Sequence, residues 1–100
     1  MADIDKLDDG KPPIMRGVIE YFPRAIIGVS QVSAFGARKY GWNTWASVDN
    51  ALARYSDAQA RHLLQQTLGE EHDPESSLLH AAHEAWNSMA KLELILRGNK

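Results

Sequence analysis

Apolar side chains recur at helical spacing along three segments of the chain, and each segment predicts one long helix. A recurrence every three or four residues places side chains on a single face of an α-helix. In the first segment, residues 23–37, this stripe consists of Ile26, Val29, Val32 and Phe35. Pro23 suits the first turn because that position needs no backbone N–H donor.

The second and third segments predict a pair of helices joined by a short acidic turn. The second helix should begin near Ser47 and end at Gly69, a residue type that commonly terminates helices. Its inward stripe becomes polar halfway along: Val48, Leu52, Tyr55, Gln59, His62 and Gln66. The third helix should cover residues 74–97, with Asp73 as its cap. We expect it to bury an apolar stripe formed by Leu79, Ala82, Trp86, Met89, Leu92 and Leu96.

The remaining segments complete an all-α prediction. Residues 14–22 are apolar enough for a short helix, and no segment shows the strict alternation typical of a strand. Residues 1–13 read as an irregular polar arm that ends in two prolines. The sequence therefore predicts a small helical bundle of three long helices plus a short N-terminal helix, with residues 14–100 as one domain.

Composition excludes several classes of protein. The 100 residues carry 11 basic and 13 acidic side chains, so we expect no duplex nucleic acid as a partner. The lack of cysteine excludes disulfides and thiolate metal sites, and it fits a cytoplasmic location. No apolar run reaches the roughly 18 residues of a membrane span, and the acidic start is unlike a signal peptide. Three amphipathic helices in so short a chain favour self-association.

A segment rich in cations and aromatic rings, residues 35–45, interrupts the helical pattern. Arg38 and Lys39 can donate to phosphate groups. Asn43 can contact a base or sugar edge, and Trp42 or Trp45 can stack on a ring. The alternative is that the aromatic rings fill the core beneath the loop.

Histidines and carboxylates form the second candidate for chemistry. His80, His83 and Asn87 share one face of the third predicted helix. An antiparallel hairpin should bring the acidic turn close to that face. Imidazole and carboxylate groups that converge in this way can bind a divalent cation. The alternative is that the acids only cap the helix and the histidines make ordinary hydrogen bonds.

An ordered series of residues resembles a known family over roughly residues 11–96. The series is Phe35-Gly36-Ala37-x-Lys39-Tyr40-Gly41, Asn43, Trp45, Tyr55, Arg61-His62, Gly69-Glu70, Asp73-x-Glu75-Ser76 and His80-x-x-His83. It resembles the phage-associated dATP/dGTP diphosphohydrolase N-terminal domain family, which is related to the MazG-like all-α nucleoside triphosphate pyrophosphatases. The resemblance implies an α-helical homodimer or homotetramer in the host cytoplasm. It also implies Mg²⁺- or Mn²⁺-dependent hydrolysis of purine deoxynucleoside triphosphates to the monophosphate and pyrophosphate.

The chain departs from the family pattern at two places. The wider superfamily carries acidic ExxE and ExxD motifs, whereas here the corresponding positions hold Arg61-His62 and His80-x-x-His83. Ser77 stands where relatives commonly have glycine. Imidazole ligands favour Mn²⁺ over Mg²⁺, so the first departure predicts a manganese preference.

The resemblance and the residue chemistry together assign provisional roles. The predicted metal ligands are Glu70, Asp73, Glu75, His80 and His83. The predicted catalytic groups are His62, Glu70 and His83, with His62 as a base that orients water. The predicted phosphate-binding residues are Lys11, Arg38, Lys39 and Arg61, and the predicted base-binding residues are Tyr40, Asn43 and Trp45. The rival hypothesis is a non-catalytic nucleotide-binding module or a phage accessory interaction module.

Overall fold

Four helices make up most of residues 10–98, the part of the chain that the computed structural model describes. Their bounds are α1 Met15–Ile19, α2 Pro23–Tyr40, α3 Ala51–Thr67 and α4 His80–Arg97. Helix α1 is a single π-helical turn, and residues 10–98 contain no strand, only one bridge between His72 and Leu79. The predicted all-α bundle is confirmed. Most of the predicted arm, residues 1–9, lies outside the described residues.

Helix α2 begins and ends where its sequence chemistry allows. Pro23 is its first residue, as predicted. The helix runs three residues beyond the predicted end at position 37 and stops at Tyr40. Gly41 then adopts a φ of 85°, a left-handed conformation that residues with a side chain rarely tolerate. The phosphate-binding candidates Arg38 and Lys39 therefore sit on the last helical turn.

Helix α3 starts later than predicted. A 3₁₀ turn over Trp45–Ser47 ends at the predicted first residue, and Asn50 has a left-handed φ of 54° just before the helix begins at Ala51. At the other end, Gly69 has a φ of 102°, and its N–H donates to the Gln66 carbonyl at 3.0 Å. The prediction that glycine terminates this helix is confirmed.

Helix α4 begins at His80, six residues after the predicted start at position 74. Asp73 does start a turn, since its carbonyl accepts the Ser77 N–H at 2.7 Å. Ser77 then adopts a φ of 64°, which a right-handed helix cannot continue. The chain crosses back instead, and the Leu78 carbonyl accepts the Asp73 N–H at 2.8 Å. The segment that begins at Asp73 therefore starts a turn and not the helix, because the left-handed Ser77 follows it.

Helices α3 and α4 form an antiparallel hairpin, and α2 packs against α4 as well. Contacts run in opposite directions along the two helices: His62 meets His80, while Gln59 donates to Ser88 at 2.5 Å. On the α2 side, Trp86 donates its indole N–H to the Ser33 hydroxyl at 2.8 Å. The predicted antiparallel arrangement is confirmed.

The buried face of α4 is not the one predicted. Within residues 10–98 the buried side chains are Val32, Ala90, Leu94, His80, His83 and Asn87. The predicted apolar stripe is largely wrong, because Leu79, Met89, Leu92 and Leu96 are exposed. The polar face of α4 turns inward, where its histidines hydrogen-bond α3 and the α3–α4 connection.

Candidate functional site

A cleft of about 1160 Å³ lies between the end of α2, the following loop, α3 and the α3–α4 connection. It collects most of the residues that the sequence singled out. Those that line it are Lys39, Tyr40, Asn43, Trp45, Arg61, His62, Glu70, Asp73, Glu75, His80 and His83. The predicted phosphate-binding residues Lys11 and Arg38 do not line this cleft; both are exposed.

Two imidazoles and one carboxylate converge at the base of the cleft. One ligand atom each from His62, Asp73 and His83 lie within 4.8 Å of one another. The His62 and His83 rings stack face to face, with centroids 4.3 Å apart and planes 7° from parallel. His83 Nε2 lies 3.6 Å from Asp73 Oδ2. The hairpin creates this cluster because His62 comes from α3, His83 from α4 and Asp73 from their connection.

Ser76 is a site residue that received no role in the sequence analysis. Its hydroxyl lies 2.7 Å from His83 Nε2 and 3.3 Å from Asp73 Oδ2, and it accepts the Leu78 N–H at 3.1 Å. Ser76 therefore links the Asp73 carboxylate to His83. Its place three residues after Asp73, in the turn, was the only sequence signal for this contact.

A second set of hydrogen bonds runs behind the cluster. His80 Nε2 lies 2.8 Å from Glu70 Oε1, and His80 Nδ1 lies 2.8 Å from His62 Nδ1. The His80 side chain is buried, with a relative exposure of 2%. Glu70 thus contacts His80, and His80 in turn contacts His62. The three groups that converge are His62, Asp73 and His83.

Burial favours the neutral form of both stacked histidines. Burial, together with the neighbouring His83, lowers the pKa of His62 below its ordinary value of 6.5. Burial also lowers the pKa of His83, although the Asp73 carboxylate opposes part of that effect. A neutral imidazole is the form that can bind a metal ion or accept a proton.

The donor set fits a divalent cation of intermediate softness. His62, Asp73 and His83 offer two neutral nitrogens and an anionic oxygen, a mixture that suits Mn²⁺ or Zn²⁺ better than Mg²⁺. Of the other predicted ligands, Glu75 accepts a hydrogen bond from Lys39 at 2.9 Å, and Glu70 contacts His80. The sequence predicted His62 as a base, whereas the geometry makes it a candidate ligand.

Two cationic side chains, Lys39 and Arg61, line the cleft. Lys39 forms an ion pair with Glu75, and both side chains are solvent-accessible. The hydrogen bond to Glu75, followed by that to Tyr40, raises the pKa of Lys39. Arg61, on α3, also lines the cleft. A charged phosphate that enters the cleft would compete with Glu75 for Lys39.

The aromatic rings of the loop divide into a packed group and an exposed group. Trp45 packs edge-to-face against Trp86, lies 5.3 Å from the Arg97 guanidinium, and accepts a 2.5 Å hydrogen bond from Tyr55 at its carbonyl. Tyr40 and Trp42 are 67% and 69% exposed. Trp45 therefore packs against the core, as the alternative interpretation predicted, and stacking of a base on Tyr40 or Trp42 stays a prediction.

The fold and cleft define a small all-α protein with a histidine–carboxylate cluster under a cationic and aromatic rim. The sequence profile of the family described as dATP/dGTP diphosphohydrolase, N-terminal, matches residues 2–100. The chain belongs to that family. The predicted relation to the MazG-like pyrophosphatases stays a prediction.

Comparison with curated proteins gives a relative of matching description. The chain is 39% identical over 80 residues to the dATP/dGTP diphosphohydrolase of Salmonella phage PMBT28. The match covers 80% of the chain but only 26% of that relative, so the chain spans about a quarter of the relative's length. No solved structure matches the chain. Within residues 10–98, no helix has the length and apolarity that crossing a bilayer requires.

Proposed function

We propose that the cleft hydrolyses purine deoxynucleoside triphosphates, dATP and dGTP, to the monophosphate and pyrophosphate in a metal-dependent reaction. The observation that carries the proposal is the convergence of His62, Asp73 and His83 beneath the cationic rim of one cleft. The substrate class comes from the description of the family and of the phage relative.

His62, Asp73 and His83 would hold the divalent cation. Bound there, it would neutralise charge on the triphosphate, the main electrostatic requirement of phosphoryl chemistry. Ser76 and the α3–α4 connection fix Asp73 and His83 in place. The predicted role of His62 as a base needs the same unprotonated nitrogen that ligation needs.

Lys39 and Arg61 would bind the phosphates. The Lys39 ammonium group forms an ion pair with Glu75. A triphosphate carries more negative charge than Glu75 and would compete for Lys39. We expect Lys39→Ala to weaken triphosphate binding by about 2 kcal/mol, the usual scale for a hydrogen bond between charged groups. Calorimetric titration of a non-hydrolysable dGTP analogue measures this, with the exposed Arg24→Ala as the matched loss of charge.

Tyr40, Trp42 and Asn43 would hold the base. The two exposed rings offer faces for stacking, and Asn43 lines the cleft beside them. Trp45 was predicted as a base-binding residue, but its ring packs against Trp86 and so supports the loop. Trp45→Ala should therefore reduce the stability of the fold, whereas Trp42→Ala should reduce nucleotide affinity alone.

Metal-dependent release of pyrophosphate tests the proposal directly. We expect release from dATP and dGTP with Mn²⁺, a weaker rate with Mg²⁺, and none after chelation. Asp73→Asn should lower the rate by about 10² or more, the scale of losing one electrostatic group at a reacting centre. Asp57→Asn, an exposed change on α3, serves as the control. A folded protein that releases no pyrophosphate under any of these conditions would sink the proposal.

One observation favours the non-catalytic alternative. The chain matches only 26% of the phage relative, so the catalytic competence of that relative can depend on residues that have no counterpart here. The chain would then be a nucleotide-binding module, or a phage accessory interaction module. Calorimetry distinguishes the two functions, because a binding module retains dNTP affinity without releasing pyrophosphate.

The predicted homodimer or homotetramer also belongs to the proposal. Many large apolar side chains stay exposed on the chain, among them Met89, Leu92, Ile95 and Leu96 on α4. A second copy that covers this face would bury these apolar side chains.

A further inference from the structure

The hydrogen bonds behind the cluster form an unbranched chain of three side chains. Glu70 Oε1 contacts His80 Nε2, and His80 Nδ1 contacts His62 Nδ1, both at 2.8 Å. His80 is buried, so water does not substitute for either partner. Nε2 is the ring nitrogen of His62 that takes no part in this chain.

Hydrogen-bond chemistry allows a single arrangement of protons along this chain when both imidazoles are neutral. A carboxylate only accepts, so His80 must carry its hydrogen on Nε2 and donate it to Glu70. His80 Nδ1 is then an acceptor. His62 must therefore carry its hydrogen on Nδ1 and donate it to His80, which leaves an unprotonated lone pair on His62 Nε2.

We propose that Glu70 and His80 are positioning residues that select the Nδ1–H tautomer of His62 and so leave a free lone pair on Nε2 of a side chain that lines the cleft. The tautomer follows from the hydrogen bonds alone. The use made of Nε2, as metal ligand or as base, rests on the proposed function. This task differs from the metal ligation predicted for Glu70 and His80 from the sequence.

His83 provides an internal contrast. Its Nε2 contacts the Ser76 hydroxyl, which can either donate or accept. The single hydroxyl hydrogen can go either to His83 Nε2 or to Asp73 Oδ2, so Ser76 leaves both tautomers of His83 open, whereas the Glu70 carboxylate allows only one for His62. Glu70 thus acts on a histidine that it does not touch, through His80.

A donor in place of the acceptor at position 70 should switch His62 to the opposite tautomer. Glu70→Lys replaces an acceptor by a donor at a side chain that is partly exposed and can accommodate it. Lysine would donate to His80 Nε2, His80 would carry its hydrogen on Nδ1, and His62 would be forced to the Nε2–H tautomer. Glu70→Ala removes the partner altogether, so His62 should populate both tautomers. Glu71→Ala, an exposed change at the neighbouring acid, is the matched control.

Side-chain ¹⁵N NMR of the metal-free protein near pH 8 reads the tautomer directly. We expect the Nδ1–H form of His62 in the parent and in Glu71→Ala, the Nε2–H form in Glu70→Lys, and a mixture in Glu70→Ala. A parent with His62 in the Nε2–H form, or the same tautomer in all four proteins, would overturn the inference. Should Glu70→Lys fail to fold, the comparison between the parent and Glu70→Ala decides.

Pyrophosphate release separates this inference from the proposed function. If both hold, Glu70→Lys should lower kcat by about 10- to 100-fold, the usual effect of changing a group behind a ligand, without raising KM for the nucleotide. If the parent releases no pyrophosphate but the tautomers switch as expected, the proposed function fails and the positioning role stands. If the parent is active and the tautomers do not switch, the positioning role fails alone.

Discussion

The two faces of α4 are the reverse of what a helix in a small protein normally presents. Its inward face begins with His80, His83 and Asn87, all buried. Its outward face carries Met89, Leu92 and Leu96, all exposed. Buried polar groups cost free energy unless they are hydrogen-bonded, and here each of the three makes at least one hydrogen bond.

The inward polar face of α4 helps to form the cleft, and few buried apolar side chains remain to stabilise the fold. Within residues 10–98 the apolar side chains that are less than a tenth exposed are Val32, Ala90 and Leu94, a small core for this chain length. The inward polar face serves the site, and the outward apolar face remains available for a second copy. If a second copy covers the outward face, as proposed above, association would add to the stability of the fold.

Truncation of one leucine on each face gives the largest expected contrast in stability. Leu94→Ala removes a side chain with 0% exposure and should reduce the free energy of unfolding by about 3 kcal/mol, since it leaves a cavity. Leu96→Ala removes a side chain that is 73% exposed and should change it by less than about 0.5 kcal/mol. Urea unfolding at low protein concentration measures both. Equal losses would contradict the assignment of inner and outer faces.

A charge on the outward face should break self-association. Leu92→Glu places a carboxylate in the apolar surface, and we expect the dissociation constant to rise at least about tenfold, equivalent to 1.4 kcal/mol. Gln66→Glu adds the same charge at an exposed position of α3 and should leave association unchanged. Sedimentation velocity over a range of concentrations gives both constants. A parent that is a clean monomer at micromolar concentration would contradict self-association through this face.

The inward face should make stability depend on pH. The pKa values of His62 and His83 are lowered, chiefly by burial, so the unfolded chain binds more protons than the folded one as the pH falls below about 6.5. Stability should therefore be fully present above that pH and decline as the pH falls through the folded-state values. His62 also faces His80, Asp73 and Arg61, which contribute to its pKa.

Urea unfolding between pH 8 and pH 5 tests this dependence. His62→Asn should flatten the decline, because one of the two neutral imidazoles is gone. His72→Asn, at an exposed position in the α3–α4 connection, should leave the decline as it is. A parent whose stability is constant across this range would show that burial does not keep these rings neutral.

The smallest expected effect concerns the residue that fixes where α4 begins. Ser77 has a φ of 64°, a conformation in which glycine is unstrained. Ser77→Gly should raise the free energy of unfolding by about 0.5–1 kcal/mol, less the entropy that glycine adds to the unfolded chain. Ser56→Gly, on the exposed face of α3, should lower it by a similar amount. Thermal unfolding of the two variants should give shifts of opposite sign.

Helical periodicity predicted the elements well, but it could not predict which face of α4 is buried. Local sequence rules predicted the three long helices, with Pro23 as the first residue of α2 and Gly69 just after α3. The start of α4 does not, because the left-handed Ser77 overrides the cap signal at Asp73. Spacing alone also favoured the apolar stripe as the core, since hydrogen bonds between distant segments leave no periodic signal.

The sequence singled out most of the polar side chains that line the cleft, but it could not assign the contacts among them. His80 and His83 on one helical face, opposite the acidic turn, were predictable from an antiparallel hairpin. The stacking of His62 on His83, the contact between His62 and His80, and the link through Ser76 depend on the rotation of α4, which no local pattern encodes. The resemblance to the family identified the histidines and acids of the cleft, but it did not predict which of them contact one another.

The division of the tryptophans provides the protein with its own optical reporter. Trp45 and Trp86 contact each other inside the fold, whereas Trp42 stands at the rim of the cleft, open to solvent. Emission from the packed pair should follow unfolding, and emission from Trp42 should follow occupancy of the cleft. In Trp42→Phe the fluorescence response to nucleotide should disappear while the unfolding signal persists, so both events can be followed in one cuvette without a label.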